Sequence, residues 1–255
     1  MLEFSEQPEA DLMESAEYQR MSSAEDHMWW YRALHANLLA ALRRDPGPPG
    51  SVLLDAGCGT GGLLRRMAEG GIHRHRIGID AEAHAAAMAA AKSGAAIAVA
   101  SVDDLPFADA SLGAIISADV LYHRRVDPER AVAESIRCLM PGGVLIVNVP
   151  AYDWMSSFHD RQVHGARRFT RTSLRRLLAG AGFARIDATY WNTFLFPLMV
   201  LHRKLAGPHR DESDVGAYPP LLEALFLAVT AVERGALRIG LRYPFGGSVL
   251  AIALK

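Results

Sequence analysis

VLLDAGCGTGG, residues 52–62, is the stretch that decides the fold. It opens as an apolar strand, carries a carboxylate at Asp55, and then gives up side chains at Gly57, Gly59, Gly61 and Gly62. Glycine lets a backbone turn sharply and lets another molecule approach the main chain closely. A strand that turns this way into a helix presents unpaired N–H groups at the helix start, a polar edge suited to a ligand. The spacing reads G-x-G-x-G, with an Asp two residues before the first Gly. A dinucleotide site, built on G-x-G-x-x-G, is the runner-up, and a tight strand–helix turn with no ligand is the plain alternative. No Lys-Ser/Thr follows, which excludes a Walker phosphate loop.

Outward from that turn, strands and helices alternate. RIGID (76–80) is a strand, 81–93 an Ala-rich helix stopped by Gly94, and AIAVAS (96–101) a strand. LGAIISA (112–118) is a strand, 128–139 a helix closed by PGG, and VLIVNVP (144–150) a strand. Such alternation predicts an α/β fold, a Rossmann-like, mostly parallel sheet with helices on both faces. Upstream, Trp30, Leu34, Leu38 and Leu42 recur four apart and predict one amphipathic helix from Ala24 to Arg43, ended by RRDPGPPG. Downstream, 151–169 reads as a long polar and aromatic loop, Thr170 or Thr172 as a helix cap, and ARIDATYW and SVLAIALK as strands. Helices over 194–205 and 221–239 lie between those last two strands. The expected organisation is a single domain: an N-terminal cap (1–49), a core sheet (50–191 and 246–255) and a helical insertion (192–245).

Asp80 ends the second strand, 25 positions after Asp55. An acid there can accept both hydroxyls of a ribose, or cap the following helix, or do both. The whole-chain charge argues against nucleic acid as a partner: Lys+Arg number 27 against Asp+Glu 28, a formal net charge of -1. The two cysteines, Cys58 and Cys138, are too few for a disulfide framework and lack metal-ligand spacing, so a reducing cytoplasm fits. The acidic N-terminus does not read as a signal peptide, and no apolar run reaches the roughly 18 residues of a membrane span.

LLDAGCGTGG, GIDA, LPFADASLGAIISADVLYH and CLMPGGVLIVNVP, taken in order, resemble the class I S-adenosylmethionine-dependent methyltransferases. The resemblance spans 50–150 and resumes at RLLAGAGFARI and at the final strand. HMWWYRALHANLLAAL, FHDRQVHGARRFTRTSLRRLL and YPFGGSVLAIALK resemble one bacterial branch of that family. The resemblance implies seven strands with the last antiparallel, and S-adenosylmethionine as cofactor. It implies that Asp55 lies near the methionine amino group, that Gly57, Cys58 and Gly59 line the amino-acid and ribose portions, and that Asp80 and Ala81 meet the ribose. Ser101, Val102 and Asp103 would edge the adenine, with Ser101 standing where many relatives carry Asp. Ala118 and Asp119 would face the sulfonium.

Methyl transfer from a sulfonium is an in-line substitution with a neutral leaving group, so alignment and exclusion of water dominate and no one residue type is obligatory. Candidate bases are Tyr122 and His123 after the fourth strand, and His159 and His164 after the fifth. Asp160 joins that cluster, and Arg167 and Arg168 can clamp an acidic acceptor, or simply pair locally. Trp30 and Arg32, in MWWYR, are candidates to close over the cofactor, the aromatic face against the sulfonium and the guanidinium against the carboxylate; a hydrophobic anchor for the first helix is the alternative. No metal is expected. The expected activity is methyl transfer to a small molecule, natural-product, acidic or lipid-like. A non-methylating reaction in the same pocket and a non-catalytic partner role are the competing readings. The apolar helices of 192–245 read as a lid, a homodimer or hetero-partner face, or a peripheral membrane contact.

Overall fold

The computed structural model describes residues 19, 21–72, 75–155, 167–205 and 218–255. A short helix, α1, covers 21–27 and leads into α2 (Trp29–Arg44). Then follow β1 (Val52–Ala56), α3 (Gly62–Glu69), β2 (Arg76–Asp80), α4 (Ala83–Ser93), β3 (Ala96–Val99), β4 (Leu112–Ala118), α5 (Pro128–Cys138) and β5 (Leu139–Pro150). The chain continues through α6 (Arg171–Gly180), β6 (Arg185–Trp191), α7 (Phe196–Leu205), α8 (Pro220–Arg238) and β7 (Ser248–Leu254). The seven strands form one sheet in the order β3-β2-β1-β4-β5-β7-β6. β7 runs antiparallel to both neighbours, and the other pairings are parallel.

Continuous apolar strands need cover on both faces, because successive side chains point to opposite sides. Leu53, Ala114, Ile116, Val144 and Ile146 join Leu34, Leu38, Leu64 and Met67 from α2 and α3 in one core. Leu54, Ile115, Leu145, Val147 and Val149 join Ala131, Val132, Leu174 and Leu178 from α5 and α6 in the other. The strand order reverses direction between β1 and β4, and in open α/β sheets ligands bind outside the strands' carboxyl ends at such a switch point.

Two expectations are corrected. The predicted helix over 24–43 is broken at Met28, whose backbone is extended at φ -68 and ψ 130. Beside the break, Asp26 pairs with Arg65 at 2.6 Å and Glu25 with Lys92 at 3.0 Å, tying α1 to α3 and α4 while α2 packs on the sheet. The PGG stretch is not a turn closing a helix before a later strand. α5 passes directly into β5 at Leu139, which pairs with Leu112, and the register shifts before Val144 pairs with Ala114. Lys255 stabilises this junction, its Nζ donating to the carbonyls of Ile136 and Leu139.

Candidate functional site

The glycine loop is conformationally obligatory. Gly57 and Gly61 have φ of +82 and +86, the left-handed region that favours glycine. A Cβ at Gly57 would sit 2.3 Å from Val120 Cγ2, and one at Gly61 would sit 2.8 Å from Ala89 Cα. The loop is sewn to the second strand: Gly57 N–H and Cys58 N–H both donate to Ile79 O, at 2.9 and 2.8 Å. Asp80 Oδ2 accepts from Gly59 N–H at 2.8 Å and Oδ1 accepts from Glu82 N–H at 3.0 Å. Asp80 is therefore not the helix cap that its position suggested; α4 begins at Ala83 with Glu82 at the cap position. Its carboxylate bridges two loops, and each oxygen retains acceptor capacity for a hydroxyl.

Asp55 is 2% exposed, and its Oδ2 has no hydrogen-bond partner among the described residues. Burial, with smaller contributions from Glu25 and Asp80, pushes its carboxyl up to about 8. An unpaired carboxylate in the interior is costly, and a cation brought by a ligand offsets that cost. A buried acceptor for a cation, a bare backbone turn and a second acid on the adjacent strand together suit a ligand carrying an ammonium group and a ribose.

Among the described residues, α1 lies over this loop. Met21 Cε lies 3.3 Å from where a Cβ on Gly59 would stand. Glu25 is buried and accepts from Thr60 Oγ1 at 2.7 Å. Trp30 instead stacks on Trp191 with ring centroids 6.2 Å apart. Trp29 packs edge-on against Phe226 of α8 at 5.3 Å, and its N–H donates to Glu223, so it anchors α2 to the helical insertion rather than to the sheet. Arg32 is exposed on α2, where its charge acts on Arg66. The kink at Met28 turns these residues toward β6 and α8.

At the end of β4, Ala118 leads to Asp119, a non-glycine residue at φ +54. Asp119 N–H donates to Asn148 O at 2.8 Å, and Asn148 Nδ2 donates to Asp119 Oδ1 at 3.0 Å. Asn148 Oδ1 accepts from Trp191 Nε1 at 2.7 Å. Burial pushes the Asp119 carboxyl up to about 7, against the opposing effects of Asn148 and Arg168. Asn148, Trp191, Glu25 and Lys92 are residues that sequence reasoning missed. Asn148 had a signal: an amide inside the apolar run VLIVNVP must find partners when buried.

The remaining candidates divide. Ser101 Oγ accepts from Asp103 N–H at 3.1 Å, and Val102 is buried beneath the turn. Asp103 Oδ2 accepts from Asp127 N–H at 3.0 Å, and its carbonyl accepts from Arg130 Nε at 2.7 Å, so this acid holds the start of α5. Cys58 is buried with its thiol pushed up by burial, and Ala81 is exposed beside Asp80. Tyr122 and His123 are half-buried with rings 4.3 Å apart. Arg167 does not stand as an open clamp: its Nη1 donates to Val126 O at 2.7 Å and Leu121 O at 3.4 Å. Arg168 Nη1 donates to Ala151 O at 3.1 Å, and its N–H donates to Asp153 at 2.8 Å. Both arginines tie the loops after β4 and β5, which leaves less of either for an acidic acceptor. His159, Asp160 and His164 lie outside the described residues. An open cleft of about 620 Å³ lined by Arg124, Arg125, Asp127, Arg167 and Ser173 reaches neither Asp55, Asp80 nor Asp119.

Residues 54–147 match a family model described as a methyltransferase domain. Among curated proteins, the chain is 31% identical over 157 residues to an "Uncharacterized methyltransferase" of Mycobacterium leprae, covering 56% of each chain. It is 34% identical over 119 residues to the "Probable tRNA methyltransferase 9B" of Bos taurus, covering 45% of this chain and 24% of that one. The match thus spans about half of one relative and a quarter of the other. Among solved structures, it superposes with a TM-score of 0.58 and 22% identity on a methyltransferase complex of Haloferax volcanii that includes the Trm112 methyltransferase activator, covering 94% of this chain and 95% of that one. The chain therefore carries a class I S-adenosylmethionine-dependent methyltransferase domain, and S-adenosylmethionine is the cofactor that such a domain is built to hold.

Proposed function

We propose that this protein transfers a methyl group from S-adenosylmethionine to a small acceptor with a substantial apolar part, by in-line substitution. The observation that carries the reading is Asp55, a buried carboxylate whose Oδ2 has no partner among the described residues, set beside a glycine loop that admits no side chain at Gly57 or Gly61. Asp55 would hold the methionine ammonium, the backbone of Gly57 and Gly59 the length of the amino-acid chain, and Asp80 the ribose hydroxyls. When bound, the cofactor supplies an activated methyl group on a sulfonium. The chain's own part is to align the acceptor and exclude water. Asp119, at the β4 end, would take a proton from an acceptor hydroxyl or amine; its hydrogen bond from Asn148, itself bonded by Trp191, supports that role.

Support for an apolar acceptor comes from the same sheet edge, where Pro150, Trp191 and Ser248 stand in register. Tyr152 lies 5.3 Å from Tyr190 and 5.7 Å from Phe196, ring to ring. Trp154, Phe194 and Phe245 leave 61%, 53% and 42% of their surface exposed beside them. The balanced net charge speaks against transfer RNA, the substrate named for one relative. The test is an acceptor panel with S-adenosylhomocysteine as the measured product. Turnover of apolar small molecules is expected. Turnover of transfer RNA alone would overturn the acceptor class, and failure to bind S-adenosylhomocysteine would overturn the cofactor reading.

A further inference from the structure

We infer that Glu25 is a cofactor-binding residue, forming with Asp55 a pair of carboxylates that holds the ammonium at the amino-acid end of S-adenosylmethionine. The inference rests on the cofactor reading above and adds a residue from outside the segment 54–147. Glu25 is 6% exposed and closes over the glycine loop from above. Its Oε2 lies 2.5 Å from where a Cβ on Gly62 would stand, and its Oε1 lies 4.0 Å from the corresponding point on Gly59. The two oxygens face different surroundings. Oε2 accepts from Thr60 Oγ1 and from Lys92 Nζ, while Oε1 is the one turned toward Gly59, whose N–H bonds Asp80.

Three acids, Asp55, Asp80 and Glu25, therefore converge on one loop. Lys92 pairs with the Glu25 carboxylate from the α4 side, where it also bonds Ser22 O at 2.7 Å, and Arg66 reaches only the Glu25 backbone carbonyl, at 3.4 Å. The electrostatic influence of Glu25 and Asp80 reaches Asp55. Negative charge gathered around a buried, unpartnered carboxylate oxygen is offset when a ligand brings positive charge to that point. An ammonium has three donors, enough for Asp55 Oδ2, Glu25 Oε1 and a backbone carbonyl.

A purely structural Glu25 would only latch α1 to α4 through Lys92. Two ligands separate the roles. S-adenosylhomocysteine carries the ammonium; 5′-methylthioadenosine shares its adenosine and thioether but lacks the amino-acid chain. Glu25→Gln keeps the shape and an acceptor for Thr60. It should lower the affinity for S-adenosylhomocysteine about tenfold, the scale of a hydrogen bond to a charged group, and leave methylthioadenosine unchanged. Glu25→Asp, which withdraws the carboxylate by one methylene, should give a smaller loss confined to S-adenosylhomocysteine. Lys92→Met, loosening the whole cover, should weaken both ligands alike. Equal loss of both ligands in Glu25→Gln, or loss of neither, overturns the inference while the cofactor reading stands. A wild-type protein that binds neither ligand overturns both.

Discussion

Binding of S-adenosylhomocysteine at neutral pH should expel a proton, and Asp55 is its source. With the carboxyl pushed up to about 8, roughly nine-tenths of the free protein carries that proton at pH 7. An ammonium seated on Asp55 favours the carboxylate, because an opposite charge within about 4–6 Å lowers an acid's pKa by one to three units. About 0.4 to 0.9 of a proton should therefore leave per ligand bound at pH 7, and progressively less as pH rises through 8. The affinity should rise with pH up to about 8, by tenfold in total for each unit by which the ligand lowers the Asp55 pKa. Titration calorimetry in phosphate and in Tris measures this directly, since the difference in observed heat reports the protons taken up by buffer. Asp55→Asn should abolish the release along with most of the affinity. Glu25→Gln should reduce the release at pH 7, because removing its charge lets Asp55 ionise earlier in the free protein. The sign for stability follows from the same shift. The folded-state value lies above the unfolded 3.8, so the contribution of Asp55 to stability is complete below about 4 and is lost as pH rises through 8. The ligand should reverse that decline. A release below about 0.2 proton at pH 7, with tight binding intact, would refute the placement of the ammonium on Asp55.

Other perturbations follow from the same geometry. Asp80→Ala should cost about 1.5–3 kcal/mol of cofactor affinity, since ribose hydroxyls lose a charged acceptor and the Gly59 and Glu82 N–H groups lose theirs; unchanged affinity by calorimetry would remove Asp80 from the site. Gly57→Ala combines a left-handed backbone with a clash against Val120, and should lower the melting temperature as well as abolish binding; normal values of both would show that the loop relaxes freely. Asp119→Asn retains a side chain that tolerates φ +54, so the fold should persist. Because the Asp119 carboxyl is pushed up to about 7, the wild type should lose stability between pH 4 and 7 from this group, and the variant should not; parallel melting curves across that range would exclude it.

Chain order, strand positions and the two acids at strand ends were legible in the sequence because they depend on local signals. Apolar runs of strand length, glycines that tolerate left-handed dihedrals, and an Asp at the close of RIGID each act within a few residues. The match of β2 to 76–80 and β4 to 112–118 reflects that locality. A carboxylate's charge state and partners are different in kind. Asp55 is legible as an acid at a strand end, but its raised pKa exists because the tertiary fold buries it, with smaller contributions from Glu25, thirty residues upstream, and Asp80, twenty-five downstream.

What lies over the glycine loop was decided by tertiary structure alone. The apolar spacing that predicts the helix begins at Trp30, and nothing in the residues from Ala24 to Trp29 marks a break at Met28. The partners of the residues before the break, Arg65 for Asp26 and Lys92 for Glu25, lie on other helices. The same limit applies to Arg167, which composition offers as a clamp and the fold spends on the carbonyls of Leu121 and Val126. Local patterning specifies which backbone forms because hydrogen bonds and apolar periodicity repeat along the chain. Which side chain meets which depends on how the helices cross the sheet, and long-range packing and electrostatics, absent from any short window of sequence, determine that.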